Sequence, residues 1–170
     1  MVALDVGHMI GLGGGEQDLV DVRPEQQLGE NAAVTVAEAL QDGIEREPRV
    51  VEGVAEMAEK IRVGPGLDPA TEMGPLVSQE QLERVCGFLE SGAREGATAL
   101  SGGRARPGAG YFVEPTVLVD VRPGMSVHDE EIFGPVVTAI PYDDERELVA
   151  AANDSRYGLA AGVWTRDVSK

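Results

Sequence analysis

Two adjacent carboxylates, Glu130 and Glu131, stand directly before the run Ile-Phe-Gly-Pro at 132–135. An ionised carboxylate only accepts hydrogen bonds and can take two hydroxyl protons at once, which suits the paired hydroxyls of a ribose. The Phe-Gly-Pro run predicts a sharp backbone change, and the β-branched stretch after it predicts a buried strand. Glu131 is therefore expected at the edge of a cleft, although the spacing alone is also compatible with a solvated turn.

The single cysteine, Cys86, is the only residue that could supply a thiolate nucleophile. A reactive cysteine lies partly exposed in an electropositive setting that lowers its pKa. Cys86 instead falls on the apolar stripe of a predicted helix, where a thiol behaves as a small hydrophobe, and Arg84 faces elsewhere on that helix. We interpret Cys86 as structural and assign no catalytic residue.

The other candidate sites lack residues that their chemistry requires. The glycine cluster at 11–15 has Glu16 where a dinucleotide fingerprint needs its third glycine, and no P-loop lysine follows, so we interpret it as a flexible loop. His8 and His128 are the only histidines, and with one cysteine they form no metal-ligand spacing, so no metal site is predicted. No Gly-x-Ser-x-Gly turn supports a serine hydrolase.

Composition limits the partners of the chain. Its 170 residues carry a net charge of −16, which repels nucleic-acid phosphates and anionic lipid, so neither nucleic acid nor a membrane is expected as a partner. A single cysteine excludes an intrachain disulfide. With no signal-peptide pattern and no bilayer-length apolar run, the chain is expected to be cytoplasmic.

Hydrophobic spacing predicts two helices between residues 51 and 96. The first carries Val51, Val54, Ala58 and Ile61 on one stripe and stops at the Gly-Pro-Gly turn at 64–66. The second begins at an N-cap, Ser78, with Gln81 as its capping-box partner, and ends at Gly96. Its apolar face is Leu82, Val85, Cys86 and Leu89.

Strands and helices alternate through the rest of the chain. Strands are predicted at 98–101, 111–121, 136–142 and 161–165, with a short helix at 145–153 capped by Asp143 or Asp144. This alternation predicts an α/β fold with a largely parallel sheet flanked by helices.

Residues 1–50 differ in composition from residues 51–170. They contain no aromatic residue and no lysine, and residues 34–40 are compatible with either a helix or a strand. We divide the chain into an atypical segment at 1–50, disordered or read out of frame, and a domain at 51–170. An unrelated fusion and a wrongly chosen start are the alternative origins of the first segment.

From about residue 51 to residue 170 the chain resembles the later part of an NAD(P)-dependent aldehyde dehydrogenase catalytic domain. The motifs that carry the resemblance are Gly64-Pro65, Glu72 to Val77, Gly102-Gly103, Gly110 to Val117, Glu130 to Val136, Asn153 to Ala161 and Trp164 to Asp167. The resemblance implies that Glu131 holds the nicotinamide ribose and that Phe133 packs beside the nicotinamide of NAD or NADP. The implied reaction is oxidation of an aldehyde to a carboxylic acid through a cysteine thiohemiacetal and thioester.

The resemblance also implies that this chain lacks the catalytic groups. The nucleophilic cysteine would fall near residues 29–33, which contain none; a faint similarity there places Ala32 at the sulfur's position. The water-activating glutamate and the main dinucleotide-binding units belong further upstream. We therefore expect a dehydrogenase fragment that is inactive alone. The alternative is a non-catalytic protein that associates with an intact, full-length relative.

Overall fold

The computed structural model describes residues 8–13, 34–40, 47–142, 145–154, 156, 157 and 161–165. Its strands are β1 (His8–Gly13), β2 (Val34–Leu40), β3 (Thr98–Ser101), β4 (Thr116–Val119), β5 (Val136–Tyr142) and β6 (Ala161–Thr165). Its helices are α1 (Glu47–Lys60), α2 (Gln79–Glu95), α3 (Ser126–Asp129) and α4 (Glu145–Asn153).

The six strands form one sheet in the spatial order β3-β4-β5-β2-β1-β6. Neighbouring strands run parallel except β3 and β4, which are antiparallel. Parallel neighbours need crossover connections, and the one between β4 and β5 contains α3. The predicted α/β fold with a largely parallel sheet is confirmed.

Helices α1 and α2 pack on opposite faces of this sheet. On β4, Leu118 belongs to the apolar cluster that contains Val85 and Leu89 of α2. Its neighbour Val117 belongs to a second cluster, with Ala55 and Ala58 of α1. Because successive residues of a strand point to opposite faces, these two clusters lie on the two sides of the sheet. The core is therefore layered, with helices flanking the sheet as predicted.

Helix α2 follows its sequence pattern at both ends. The Ser78 hydroxyl accepts a hydrogen bond from the Gln81 backbone N–H at 3.1 Å, and Gly96 caps the C-terminus with φ of 108°. The Gln81 side chain does not return to Ser78 as a capping box requires. It donates instead to backbone carbonyls some fifty residues further along the chain, so that part of the prediction is wrong.

Two elements differ from their predictions for local reasons. Of the residues predicted as a strand at 111–121, only those of β4 form one. Pro115, before β4, has no N–H to donate, and Asp120, after β4, turns the backbone with a φ of 58°. Val113 makes only an isolated bridge with Ala105. The one-turn helix α3 was not predicted, since four residues are too few to show periodicity.

The first fifty residues contribute two strands and the start of a helix. Residues 34–40 form a strand, which decides between the two conformations that the sequence left open. Gly11 and Gly13 lie in strand β1, so the flexible-loop interpretation is wrong for them; Gly14 and Gly15 lie outside the described residues. Helix α1 begins at Glu47, with Pro48 in its first turn, where a missing N–H costs nothing.

Helix α1 ends at Lys60, before the Gly-Pro-Gly turn at 64–66 where the sequence predicted its stop, so Ile61 lies outside the helix. The other predicted elements are confirmed, except for one cap. Strands β3, β5 and β6 and helix α4 have the predicted bounds. Asp143 and Asp144, the two candidate caps of α4, lie outside the described residues.

Candidate functional site

The loop at residues 130–135 connects α3 to β5, and we call it the 130–135 loop. It enters the sheet beside β4: the Thr116 N–H donates to the Pro135 carbonyl at 2.8 Å, and Thr116 pairs with Val136 in the ladder. The predicted sharp turn is present, because Phe133 has a positive φ of 56°. Non-glycine residues rarely adopt this left-handed conformation, and it persists only where the surroundings enforce it.

Helix α2 supplies side chains that hold this loop. The Gln81 amide donates to the carbonyls of Ile132 at 3.2 Å and Phe133 at 2.8 Å. The Arg84 guanidinium donates to the Glu131 carbonyl at 2.9 Å. Gln81 and Arg84 are three positions apart, so they lie on the same face of the helix. Three successive carbonyls of the loop are thus fixed by one helical face.

Packing against α2 also fixes the loop. Ile132 is 1% exposed and lies in the cluster that contains Val85 of α2. Gly134 approaches α2 so closely that a Cβ there would lie 2.7 Å from a methyl carbon of Val85. Phe133 remains 37% exposed between the buried Ile132 and the half-buried Gly134. The turn therefore displays an aromatic ring on a rigid base.

The two adjacent acids have different surroundings. The carboxylate of the half-buried Glu131 accepts no hydrogen bond from the residues that the structure describes. Glu130 forms an ion pair with Arg156 and accepts a hydrogen bond from the Tyr157 hydroxyl at 2.9 Å. The Arg156 contact, followed by the Tyr157 hydrogen bond, holds the pKa of Glu130 below its usual value. Glu130 is thus engaged within the protein, whereas Glu131 keeps its acceptor capacity.

His128 lies in α3, just before the loop, and contacts its sequence neighbour. Its Nδ1 lies 2.6 Å from the Asp129 carboxylate, which also accepts from the Gly124 N–H at 3.3 Å. The hydrogen bond with His128 is the main cause of a lowered pKa for Asp129. His8 lies in β1, where only the backbone is described.

Cys86 is a free thiol of intermediate exposure on α2. Burial is the main cause of a pKa raised above 9.0, and the charge of Glu90 adds to it. Arg84 is engaged with the loop and does not act on the thiol. Among the described residues, Cys86 therefore lacks the electropositive setting of a nucleophilic cysteine.

The sequence did not single out four of the side chains that shape the site. Gln81 was assigned to the cap of α2, and Arg84 was judged only by its distance along the helix from Cys86. Arg156 and Tyr157 lie in the motif at 153–161, but no role was given to them. All four act on residues far along the chain, so neither helical periodicity nor capping patterns could reveal their contacts.

Two negative findings apply to the described residues. No group of three or more His, Cys, Asp or Glu side chains is arranged to hold a metal ion there. Among the same residues, no helix is long and apolar enough to cross a membrane.

Comparison with known proteins identifies the family. Residues 39–170 match the model of the aldehyde dehydrogenase family, which is more than half of the chain. The chain therefore belongs to the aldehyde dehydrogenase family. The match begins at residue 39 and thus takes in the end of β2 and all of α1.

Individual relatives agree with this identification. Betaine aldehyde dehydrogenase of Brucella anthropi is 46% identical over 126 residues, which cover 72% of this chain and 26% of the relative. The NAD+ complex of a Bacillus cereus aldehyde dehydrogenase is 43% identical with a TM-score of 0.75, covering 84% of this chain and 28% of that one. The Mycobacterium tuberculosis aldehyde dehydrogenase complexed with NAD+ has a TM-score of 0.76 at 36% identity, covering 98% of this chain and 36% of that one.

The chain spans only about a quarter of the length of the curated relatives it matches, between 24% and 26% for the first of them. The fold and the family are therefore those of an aldehyde dehydrogenase, in a polypeptide that corresponds to one part of such an enzyme.

Proposed function

We propose that this chain is a fragment from the later part of an NAD(P)-dependent aldehyde dehydrogenase catalytic domain. The parent enzyme oxidises an aldehyde to a carboxylic acid with NAD or NADP, through a cysteine thiohemiacetal and thioester. The family match supports the reaction class, and the similar Bacillus and Mycobacterium structures, described as NAD+ complexes, support NAD as the cofactor.

Within that enzyme the 130–135 loop contributes to the nicotinamide end of the cofactor site. Glu131 holds the nicotinamide ribose and Phe133 packs beside the nicotinamide. The observation that carries this proposal is the contrast between the two acids of the loop. Glu130 is paired with Arg156, while the Glu131 carboxylate accepts no hydrogen bond from the described residues and can therefore accept two from a ribose.

The residues present fit the nicotinamide riboside end of a dinucleotide. An exposed aromatic ring beside an acceptor carboxylate matches a flat nicotinamide joined to a dihydroxy sugar. A nicotinamide cofactor held by Glu131 and Phe133 would supply the hydride acceptor for the reaction. The part played by this chain is positional: Gln81 and Arg84 hold three loop carbonyls, and the loop in turn holds Glu131 and Phe133.

The polypeptide alone is proposed to be inactive. The reaction needs a thiolate that attacks the aldehyde and a base that activates water for release of the acid. Cys86 is the only thiol of the chain, and burial raises its pKa. The raised pKa disfavours the thiolate at neutral pH, which argues against Cys86 as the nucleophile.

A chimera tests the role of Glu131. Residues 51–157 of this chain would replace the aligned residues of the Bacillus cereus enzyme, and Glu131→Gln would be compared with the unaltered chimera. We expect single-turnover hydride transfer to slow by about 100-fold, because a misplaced nicotinamide loses its alignment with the substrate. The dissociation constant of NAD should change much less, since most of the dinucleotide is bound elsewhere.

The matched control is Glu59→Gln, an exposed glutamate of α1 that should alter neither quantity. Equal losses in hydride transfer and in NAD affinity would contradict the positioning role of Glu131. So would an unchanged rate in the Glu131→Gln chimera.

A second candidate is a non-catalytic protein that associates with an intact relative. It is favoured by β3, which lies at the outer edge of the sheet and exposes Thr98, Ala99 and Leu100. Exposed edge strands pair readily with other chains. Co-expression with an intact dehydrogenase, followed by affinity purification, tests this candidate: co-purification is expected if it is correct, and a separate monomer contradicts it.

We also propose that residues 1–38, which precede the family match, arose by out-of-frame reading; residues 39–50 match the family model and are not included. The absence of aromatic residues and lysines in residues 1–38 supports this origin. The upstream DNA tests it: a cysteine-bearing family motif in another frame is expected, and its absence would contradict the proposal.

A further inference from the structure

The side chain of Glu130 is held by two residues from the segment that follows α4. Arg156 forms an ion pair with one carboxylate oxygen, Oε1, and the Tyr157 hydroxyl donates to the other, Oε2, at 2.9 Å. The Arg156 guanidinium also lies 5.3 Å from the centre of the Tyr157 ring, within range of a cation–π contact. Both oxygens of one carboxylate are therefore occupied by a single short segment.

We propose that Arg156 and Tyr157 are positioning residues that act through Glu130 to set the direction of Glu131 and the pose of Phe133. This inference rests on the proposed role of the 130–135 loop at the nicotinamide. It assigns to the motif at 153–157 a function that is distinct from cofactor contact.

The backbone conformation at Glu130 relates the direction of its side chain to that of Glu131. Glu130 caps the C-terminus of α3 and has extended dihedrals, with φ of −118° and ψ of 149°. Along extended backbone, successive side chains point to opposite sides. A carboxylate at position 130 that is fixed on one side therefore turns the carboxylate of Glu131 toward the other.

The hold by α2 does not supply this direction. Gln81 and Arg84 bind the carbonyls of Glu131, Ile132 and Phe133, whereas neither forms a hydrogen bond with Glu130, the residue before them. Among the described contacts, Glu130 is the one loop residue whose side chain forms a charged or hydrogen-bonded link. Helix α2 therefore binds the backbone of the loop, and the segment after α4 binds the side chain of its first residue, Glu130.

Several charged groups face this cluster and bear on its pH dependence. Arg84 lies on the α2 side and favours the ionised form of Glu130, as Arg156 does. Asp129, on α3, also feels the charge of Arg156 and is paired with His128. The pKa of Glu130 is lowered in the folded chain, so the cluster is intact at neutral pH and is released as the pH falls through that pKa.

Fluorine NMR of the full chain labelled with fluorophenylalanine tests the proposal without any cofactor. The chain has three phenylalanines, and Phe133→Leu assigns the signal of the loop. In the parent chain we expect the Phe133 signal to shift as Glu130 is protonated. In Arg156→Ala and in Glu130→Gln the signal should lie near its low-pH position at every pH. We call the change of the Phe133 signal with pH the titration step, and both variants should lose it.

Conservative variants separate positioning from general loss of structure. Arg156→Lys keeps the cation and should retain part of the titration step. Tyr157→Phe should displace the Phe133 signal less than Arg156→Ala does. Arg122→Ala removes an exposed arginine elsewhere, and Asp129→Asn removes the neighbouring acid; both should retain the step. The Phe88 and Phe112 signals report whether each variant remains folded.

A Phe133 signal that is identical in the parent, Arg156→Ala and Tyr157→Phe at every pH overturns the inference. If Arg156→Ala unfolds, the Tyr157→Phe variant decides, and an unmoved signal there overturns it as well. Because no nucleotide is present, failure here leaves the role of Glu131 to the hydride-transfer test, and failure of that test leaves this one standing.

Discussion

Glu130 and Glu131 are chemically identical neighbours with different contacts. The first neutralises Arg156 and the second remains available to an external donor. Local sequence cannot distinguish them, because both are acids in the same run. The distinction comes from Arg156, a residue 26 positions later (156 − 130), which only the folded chain brings into contact.

Gly134 is required by packing against α2. In Gly134→Ala the new Cβ would lie 2.7 Å and 3.0 Å from the two methyl carbons of Val85, which is fully buried and cannot move aside. We expect a loss of about 1–3 kcal/mol in the free energy of unfolding, as for other overpacked sites. Urea denaturation measures this change.

Gly87→Ala is the matched control on the same helix. No other group lies within 4 Å of the position that its new Cβ would take, and α2 is helical there, so the substitution should stabilise the chain by about 0.5–1 kcal/mol. Equal effects of the two substitutions would contradict the close approach of the loop to α2.

Cys86 should react slowly with alkylating reagents. Only the thiolate attacks iodoacetamide, and burial together with Glu90 raises the pKa of this thiol. At neutral pH we expect a rate below that of the urea-unfolded chain, increasing until the pH exceeds 9.0. A rate in the folded chain that is already maximal at neutral pH would indicate an activated thiolate and contradict the structural interpretation.

At the scale of elements, α2 organises the site. Its N-terminal half holds the 130–135 loop through Gln81 and Arg84, and its C-terminal end holds α3. The Glu95 carboxylate accepts from the Ser126 N–H at 2.7 Å and from the Ser126 hydroxyl at 3.1 Å. One helix thereby sets the positions of both the loop and the short helix that precedes it.

Glu95→Gln should weaken the link between α2 and α3. Hydrogen bonds from Ser91 and Ser126 lower the pKa of Glu95, so the unfolded chain binds its proton more readily than the folded one does. The stabilisation is complete above the ordinary glutamate pKa of about 4.3 and is lost as the pH falls below it. Melting temperatures at neutral and at acidic pH measure this dependence.

In that experiment the parent chain should lose more stability on acidification than Glu95→Gln does. Glu52→Gln, in an exposed position on α1, is the control and should behave as the parent. An identical acid dependence in the parent and in Glu95→Gln would show that the carboxylate does not hold α3.

Most elements could be predicted from sequence, because periodicity and caps are local signals. Helix α2 shows this at Ser78 and Gly96, and β5 and α4 have the predicted bounds. The exceptions have identifiable causes: Pro115 and Asp120 shorten β4, and α3 is too brief for a pattern.

The site was predictable only in part. The acids and the turn were visible in the run at 130–135, and their assignment to a nicotinamide came from the family resemblance. The hold by Gln81 and Arg84 was not visible, since both partners lie about fifty residues away and helical spacing carries no information about them.

At the scale of the whole molecule, the described residues assemble one layered α/β unit that belongs to the aldehyde dehydrogenase family. In our account it carries the loop that positions the nicotinamide but not the groups that perform the chemistry. We propose that such a unit is inert by itself, because hydride transfer requires the nucleophile, the substrate and the nicotinamide to be aligned together.

The most direct test of this account is cofactor reduction by the purified 170-residue polypeptide. The chain would be incubated with NAD or NADP and a series of aldehydes, with its heat-treated form as the blank and the Bacillus cereus enzyme as the positive control. We expect no formation of reduced cofactor above the blank. A rate that requires both cofactor and aldehyde, and that disappears in Cys86→Ser, would contradict the account.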